Sequence, residues 1–361
     1  MSNGRPSARV VVIGAGQAGL AVAYYLRRFQ LEPGRDFLVL DRGPLTGGAW
    51  QHRWPALRLG SAHRVHDLPG MAELGLSFET ADRERPARDV VVEYYAAYEE
   101  HFGLHVRRPV EVDAVVTEGP DLLVRATTPE GPLELTAEVL VNATGTWGAP
   151  FVPWYPGMDA FEGRQVTTAG YPGAEAFRGQ DVIVVGGGTS AIGFVLELEG
   201  VAASVRWASR RPIDFASGES LDIEAASAAV SAQDRAAREG RALPSIVSGT
   251  GVPKTRRMAA AIERGVLVAR PMFERVLPGG VRWADGVETR ADAIIWATGF
   301  RPELRHLAPL RLREKAGGVR VENGAAWTDP RIFLAGYGPQ ASTIGANRAG
   351  RVVARQVMAR L

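Results

Sequence analysis

The amino-acid sequence contains no cysteine among its 361 residues. Such a chain cannot relay electrons through a thiol–disulfide pair, hold an iron–sulfur cluster or bind a metal through thiolates. Lysine is almost absent too: Lys254 and Lys315 are the only lysines among the 42 lysine and arginine residues. With 40 acidic residues the formal net charge is +2, which gives no reason to expect a nucleic-acid partner.

Long apolar runs are also missing. No stretch approaches the ~20 apolar residues of a membrane-spanning helix, so we expect no membrane partner. The short polar segment 1–9 leaves no room for the apolar region of a signal peptide before the first apolar run. We therefore expect a cytoplasmic protein. Its length exceeds what one small core supports, which predicts two domains.

The chain contains two glycine-rich segments of similar pattern. The first glycine turn, G-A-G-Q-A-G at 14–19, follows the apolar run 10–13. The second glycine turn, G-G-G-T-S-A at 186–191, follows the apolar run 182–185. Strand, glycine turn and helix in that order are typical of a dinucleotide site, where the helix N-terminus faces the pyrophosphate. The residues predicted to contact dinucleotides here are Gly14, Gly16, Gln17, Ala18, Gly19, Gly186, Gly188, Thr189, Ser190 and Ala191.

An acidic residue ends the second predicted strand, residues 37–40. Asp41, followed by Arg42, occupies the position where a carboxylate binds the ribose of a bound adenosine. A carboxylate that only caps a loop is the alternative. The complete glycine pattern before it favours ribose binding, and we include both residues in the predicted cofactor site.

The chain repeats its own organisation. Predicted antiparallel strands at 110–116, 122–127 and 133–136 precede a strand at 139–143 that runs into Thr144 and Gly145. Another short meander precedes a strand at 293–297 that runs into Thr298 and Gly299. A last strand at 332–336 and a last helix from 344 remain to complete the first half.

The fold class predicted from this repeat is α/β, with two Rossmann-like dinucleotide-binding domains. Each is expected to have a parallel sheet plus an antiparallel meander. Residues 1–155 and 300–361 form one predicted domain, and residues 156–299 form the other, inserted in it.

Several motifs narrow the comparison to one family. Residues 47–50, G-G-A-W, resemble an element of the flavin monooxygenases, and the A-T-G segments at 143–145 and 297–299 are similar to theirs. Phe161, Gly163 and Tyr171 follow the spacing of the fingerprint of flavin-containing and Baeyer–Villiger monooxygenases. Over nearly its whole length the chain resembles these class B flavoprotein monooxygenases, most of all compact bacterial members that accept either nicotinamide coenzyme.

The resemblance implies a cofactor pair and a reaction. FAD would occupy the first turn and NADPH the second, with NADH as the alternative coenzyme. Hydride would reduce FAD, and O2 would then give a C4a-(hydro)peroxyflavin that oxygenates a small-molecule sulfide, amine or ketone. A monomer or a homodimer is expected. The further cofactor-binding residues that it implies are Gly48, Ala49, Trp50, Gln51, Thr144, Gly145, Thr298, Gly299 and Gly338.

Two departures from the family pattern leave the catalytic residues open. Thr167 stands where the fingerprint has a histidine, and no asparagine occurs in residues 57–70, where the family places one over the flavin. Ser61, His63 and His66 are candidates to replace the asparagine, and Thr167 is the fourth candidate catalytic residue. The alternative is that nothing replaces the asparagine and the peroxyflavin is short-lived.

Coenzyme choice rests on Arg210 and Arg211, which follow the second strand of the second site. Arginines at this position accept the 2′-phosphate of NADP, which predicts a preference for NADPH. The alternative is that they are two more surface arginines.

Two other functions compete with oxygenation. One is a flavoprotein reductase or oxidase that NADPH reduces but that oxygenates no substrate. The other is a non-catalytic nucleotide-binding protein, which two intact glycine turns disfavour.

Overall fold

The chain forms two compact units, and a computed structural model describes residues 5–61, 65–216, 223–244, 251–341 and 343–361. The first unit contains Met1–Gly148, Val230–Pro244 and Pro302–Leu361, and the second contains Ala149–Ala229 and Ser245–Arg301. The chain therefore passes between the units at four points.

The regular elements are numbered along the chain. The helices are α1 (Gln17–Arg28), α2 (Ala87–His101), α3 (Thr189–Leu198), α4 (Ile223–Arg238), α5 (Arg256–Glu263) and α6 (Thr343–Arg360). The strands are β1 (Ser7–Ile13), β2 (Phe37–Leu40), β3 (Glu111–Glu118), β4 (Asp121–Thr128), β5 (Gly131–Asn142), β6 (Arg164–Thr167), β7 (Asp181–Val185), β8 (Ser204–Ala208), β9 (Phe215–Ala216), β10 (Val252–Pro253), β11 (Ala269–Arg270), β12 (Phe273–Leu277), β13 (Gly280–Trp283), β14 (Glu288–Arg290), β15 (Ala293–Trp296), β16 (Val321–Glu322), β17 (Ala325–Ala326) and β18 (Ile332–Leu334).

The first unit is built on one sheet with the order β16-β17-β18-β5-β1-β2. Strands β2, β1, β5 and β18 are parallel, while β3 and β4 form an antiparallel meander on β5. Parallel strands end at the same edge, so the first glycine turn, Asp41 and the A-T-G segment after β5 all lie at one edge of this sheet.

Strand β5 includes the residues of two strands that were predicted separately. The sequence analysis expected separate strands at 133–136 and 139–143, but β5 runs without a break through Gly131–Asn142. Its first half pairs with β4 and its second half pairs with β1 and β18. The prediction of a break was wrong because the alternation of the meander leads directly into the buried run, with no turn residue between them.

Apolar side chains cover both faces of the first sheet. On one face, buried residues of α1, α2 and α6 such as Leu20, Tyr95 and Val353 pack against β1 and β5. On the other face, the β3–β4 meander packs with Leu304, Leu307 and other residues of the segment before β16. A strand buried on both faces reads as a continuous apolar run, as residues 10–13 do.

The second unit repeats this plan on a smaller scale. Its parallel sheet has the order β11-β8-β7-β15-β6, and β12, β13 and β14 form a separate antiparallel sheet. Phe273 and Trp283 of the antiparallel sheet pack against Ile183 and Trp296 of the parallel one. The second glycine turn follows β7, at the carboxyl edge of the parallel sheet.

The unit boundaries differ from the predicted domains at both ends of the second unit, which also includes residues 149–155 and 300–301, and in one internal segment. The segment Val230–Pro244 groups with the first unit, although the sequence analysis placed it in the inserted domain 156–299. That segment contains the second half of α4, and its Ala237 packs in the same core as Leu304. The assignment of one nucleotide to each unit stays a prediction.

Candidate functional site

The first glycine turn has the geometry that a dinucleotide needs. Gly14 has φ +100°, and a Cβ there would lie 2.6 Å from the carbonyl oxygen of Ala143. A Cβ on Gly19 would collide with the carbonyl of Gly14. At Gly16, by contrast, the nearest atom to a Cβ is the Cα of Gly48 at 3.8 Å, so this side of the turn is open. The turn is therefore tight on its inner side and open where a pyrophosphate would approach.

Helix α1 presents an unshielded N-terminus at this turn. Gly16 is its N-cap, no side chain caps it, and its first turn contains no acidic residue. The backbone N–H groups and the positive end of the helix dipole can therefore bind an anion.

Asp41 holds the first turn together. One carboxylate oxygen accepts a hydrogen bond from the backbone N–H of Ala15 at 2.7 Å, and the other accepts one from Gly43 at 2.8 Å. The side chain is only 7% exposed. Asp41 thus caps the loop, which was the alternative to ribose binding in the sequence analysis. Ribose binding stays a prediction, and it would use lone pairs that these two bonds leave free. Arg42 beside it lies 3.8 Å from the carboxylate of Glu303.

The G-G-A-W element lies directly on the first turn. Gly48 begins a short 3-10 helix, Gly48–His52, which also contains Ala49, Trp50 and Gln51. The Gln51 amide donates to the carbonyls of Leu45 and Gly48 and accepts from the N–H of Leu45. Its side chain therefore shapes this loop, and whether it also contacts a cofactor stays a prediction.

A second set of hydrogen bonds holds the same loop, and it was not predicted from the sequence. The Thr46 hydroxyl donates to Glu99 at 2.5 Å, and Arg108 donates two hydrogen bonds to the same carboxylate at 2.7 and 2.9 Å. Glu99 belongs to α2 and Arg108 lies 62 residues after Thr46, so no local pattern links them.

In the A-T-G segment of the first unit, the threonine side chain forms a hydrogen bond with the protein backbone. The Thr144 hydroxyl donates to the backbone carbonyl of Glu303 at 2.8 Å, and the N–H of Glu303 donates to the carbonyl of Gly145 at 2.9 Å. Behind them, Nε2 of His306 lies 2.7 Å from Oδ1 of Asn142. Burial, reinforced by Arg42 and Arg305, lowers the pKa of His306 to about 4, so the imidazole is neutral at physiological pH.

The second glycine turn repeats the first. Gly186 has φ +143°, and a Cβ there would collide with the carbonyl of Ala297, the counterpart of Ala143. Gly188 is the N-cap of α3, whose first turn, beginning Thr189-Ser190-Ala191, has neither a capping side chain nor an acidic residue. This end of α3 is likewise suited to an anion.

The arginine pair follows the neighbouring strand, β8. The Ser209 hydroxyl donates to the carbonyl of Arg211 at 2.8 Å, and the same oxygen would lie 2.8 Å from a Cβ on Gly187. Arg210 and Arg211 are both exposed, and neither forms an ion pair with any residue in the described part of the chain. The pair is thus exposed and adjacent to the second turn.

The remaining predicted residues of the second unit lie at the same sheet edge. The Thr298 hydroxyl donates to the carbonyl of Phe151, and the N–H of Phe151 donates to the carbonyl of Gly299 at 2.9 Å. Thr167 ends β6 opposite Trp296 of β15, next to the A-T-G segment. The role of Thr167, as a catalytic candidate or otherwise, stays a prediction.

The candidate catalytic residues of the first unit are not equally placed. Ser61 is exposed and its hydroxyl donates to the nearby carbonyl of Arg58 at 3.1 Å, as in a local turn. The carbonyl of His66 accepts a hydrogen bond from Gln17, the first residue of α1, at 3.3 Å. His63 lies outside the described residues. Of the two described candidates, Ser61 and His66, only His66 forms a hydrogen bond with a residue of the first glycine turn.

An asparagine does reach this segment, but from the far end of the chain. Asn347 of α6 donates to the carbonyl of Asp67, and its Oδ1 accepts from Gln17 at 3.3 Å. Gln17 thereby joins α1 to both His66 and Asn347. The family pattern pointed only to residues 57–70, so the sequence analysis missed this residue.

Gly338 lies under the second half of α4. A Cβ there would lie 3.2 Å from the Cβ of Ala237 and 3.8 Å from the carbonyl of Gln233. Its predicted backbone contact with a flavin stays a prediction.

The sequence of this chain matches a known protein family. The model of the pyridine nucleotide-disulphide oxidoreductase family matches residues 11–227, more than half of the chain. The chain belongs to this family. Without cysteine, it is a member that cannot perform the disulfide chemistry in the family's name.

The similar solved structures include a flavin-containing monooxygenase from Stenotrophomonas maltophilia. The chain is 33% identical to it, with a TM-score of 0.78, 98% of this chain covered and 99% of that one. For a double mutant of the flavin monooxygenase from that organism the identity is 35% and the TM-score 0.80, with the same coverage. A Baeyer–Villiger monooxygenase from Streptomyces coelicolor is 30% identical over 86% of this chain and 67% of its own length.

These findings confirm the predicted resemblance to class B flavoprotein monooxygenases and the predicted α/β fold class. The chain is a flavin-dependent oxidoreductase, and FAD and NADPH, the predicted cofactors, are those of its relatives. No helix in the described ranges is long and apolar enough to cross a membrane. Within those ranges, no group of three or more metal-binding side chains could hold a metal ion.

Proposed function

We propose that this chain is an NADPH-dependent FAD monooxygenase that oxygenates a small-molecule sulfide, amine or ketone. The observation that carries the proposal is the repeated turn, with Gly14 against Ala143 in one unit and Gly186 against Ala297 in the other. Two dinucleotide sites in one chain suit the transfer of a hydride from one nucleotide to the other. The flavin monooxygenases among its relatives support oxygenation as the outcome.

The first turn suits FAD. The open side of Gly16 leaves room for the pyrophosphate, the N-terminus of α1 can bind it, and Asp41 lies at the end of β2, where the adenosine ribose is expected. When bound, FAD supplies the redox and oxygen-transfer chemistry, while the protein contributes position, polarity and exclusion of water.

The second turn suits NADPH. The N-terminus of α3 can bind the pyrophosphate, and Arg210 and Arg211 can bind the 2′-phosphate through charge-assisted hydrogen bonds. The proposal includes a cytoplasmic location and a monomer or homodimer.

The competing function is an NADPH oxidase that reduces O2 to hydrogen peroxide without oxygenating a substrate. It is favoured by Thr167 in place of the fingerprint histidine and by the lack of asparagine in residues 57–70. Asn347 weakens this argument, since it brings an amide to the same segment, although Asp67 and Gln17 already engage that amide.

The stoichiometry of the reaction separates the two functions. The purified enzyme is mixed with NADPH in air and one probe each of a sulfide (methyl phenyl sulfide), a tertiary amine (trimethylamine) and a ketone (cyclohexanone). NADPH consumed, oxygenated product and hydrogen peroxide are measured together. Oxygenation predicts one product per NADPH with at least one probe. Hydrogen peroxide equal to the NADPH consumed with every probe would support the oxidase instead.

A further inference from the structure

Arg53 follows the 3-10 helix Gly48–His52, and its side chain lies over two tryptophan rings. Its guanidinium carbon lies 4.1 Å from the ring centroid of Trp147 and 5.3 Å from that of Trp50. A guanidinium between two indole faces is fixed in orientation by cation–π and stacking contacts. The side chain is therefore preorganised, and holding it in place for a ligand would cost little additional entropy.

No carboxylate balances this cation in the described part of the chain. Nε of Arg53 is fully buried without a hydrogen-bond partner. Arg108 and Arg331 are partly buried as well, yet each is bonded to a carboxylate, Glu99 and Asp329 respectively. Burial lowers the pKa of Arg53 to about 10, so the group still carries its charge at neutral pH. A buried cation without a partner is costly, which favours an anionic ligand here.

Both tryptophans that hold Arg53 belong to segments that start at the first glycine turn. Trp50 lies in the 3-10 helix that begins at Gly48, beside Gly16, and Trp147 lies four residues after Ala143, which packs on Gly14. The turn itself, G-A-G-Q-A-G, contains no basic side chain. A pyrophosphate on the N-terminus of α1 would carry two negative charges and receive only backbone N–H groups from it.

We propose that Arg53 binds the pyrophosphate of the dinucleotide in the first site, with its guanidinium N–H groups donating to the phosphate oxygens. The inference rests on the placement of FAD at the first turn. The stack of Trp50, Arg53 and Trp147 forms the cationic side of the site, and the N-terminus of α1 forms its backbone side.

The test compares FAD retention in four full-length proteins: wild type, Arg53→Gln, Arg53→Lys and Arg320→Gln. Arg320 is the matched control, because its guanidinium carbon also lies 4.0 Å from a tryptophan ring centroid, that of Trp327, but in the β16–β17 hairpin. The dissociation constant of FAD is measured by flavin fluorescence at low and high salt, together with the melting temperature.

We expect Arg53→Gln to bind FAD about tenfold to a hundredfold more weakly, which corresponds to the loss of a charge-assisted hydrogen bond. Its FAD affinity should also depend less on salt than that of the wild type, since one ionic contact is gone. Arg53→Lys should recover part of the loss, and Arg320→Gln should bind FAD as the wild type does.

Three results would overturn the inference. The first is unchanged FAD affinity in Arg53→Gln, including the case where only the melting temperature falls. The second is equal loss in Arg53→Lys and Arg53→Gln, which would remove the role of charge. The third is altered sulfite binding by the flavin ring with unchanged FAD affinity, which would place Arg53 at the ring instead.

A Gly16→Val variant separates this failure from failure of the FAD placement. If Gly16→Val retains FAD, the first turn is not its site and both proposals fall. If Gly16→Val loses FAD while Arg53→Gln keeps full affinity, only the role of Arg53 is wrong.

Discussion

The carboxylate of Asp41 accepts a 2.7 Å hydrogen bond from the backbone N–H of Ala15, and this bond fixes the first glycine turn against the end of β2. The other carboxylate oxygen accepts from Gly43, so a single buried side chain fixes the backbone on both sides of the proposed adenosine site.

Replacement of Asp41 by asparagine should therefore affect both folding and FAD binding. The amide nitrogen would face one of the two N–H groups and leave a buried donor without an acceptor, a loss of about 1–3 kcal/mol. We expect a lower free energy of unfolding by chemical denaturation and weaker FAD binding by fluorescence. The control is Asp82→Asn, because Asp82 also accepts from a backbone N–H two residues on, but is exposed. If Asp41→Asn behaves like that control, the carboxylate has no such role.

Gly16→Val should give a folded protein that purifies without FAD, because the valine side chain would fill the open side of the turn. The ratio of flavin to protein after purification measures this. Gly279→Val is the control, since no atom lies within 4 Å of a Cβ there. A yellow Gly16→Val protein with full flavin content would contradict the assignment of this turn.

Arg210→Ala combined with Arg211→Ala should raise KM for NADPH about tenfold to a hundredfold and leave KM for NADH nearly unchanged. Only NADPH carries the 2′-phosphate that the two guanidinium groups are proposed to bind. Steady-state oxidation of each coenzyme measures the effect, with Arg275→Ala, an exposed arginine of β12, as the control. Equal losses with both coenzymes would mean that the pair binds a group common to both or only stabilises the fold.

Stability should fall as the pH drops below about 6.5, partly through His306. Its pKa is lowered to about 4 in the folded protein by burial and by Arg42 and Arg305, so below pH 6.5 protons bind to the unfolded chain first. The contribution is present above that pH and is lost progressively down to pH 4, in total about 3 kcal/mol.

The free energy of unfolding, measured with urea at pH 7 and pH 4.5, tests whether stability falls at the lower pH. His306→Gln should lose less stability than the wild type between the two pH values, whereas a change at the exposed His101, His101→Gln, should leave the wild-type difference intact. An equal pH dependence in His306→Gln and the wild type would exclude His306 as a source.

The parts of the molecule that the sequence predicted well are those encoded locally. Each glycine turn is specified by a few adjacent residues between an apolar run and a helix, so Gly14 and Gly186 could be placed without a structure. The contact of each glycine with the carbonyl of Ala143 or Ala297 was not predicted and is seen only in the structure.

The parts that it did not predict depend on partners far apart in the chain. Thr144 bonds to Glu303, Asn142 to His306 and Gln17 to Asn347, and no periodicity links such pairs. The grouping of Val230–Pro244 with the first unit also depends on packing, through Ala237, that no local pattern encodes.

The measurement that tests the central claim most directly is anaerobic mixing of the purified enzyme with NADPH while the visible absorbance of its flavin is followed. If the two glycine turns bind FAD and NADPH for hydride transfer, the flavin absorbance bleaches, and one equivalent of NADPH per FAD completes the reduction. Retention of the oxidised flavin spectrum in the presence of excess NADPH would contradict the account.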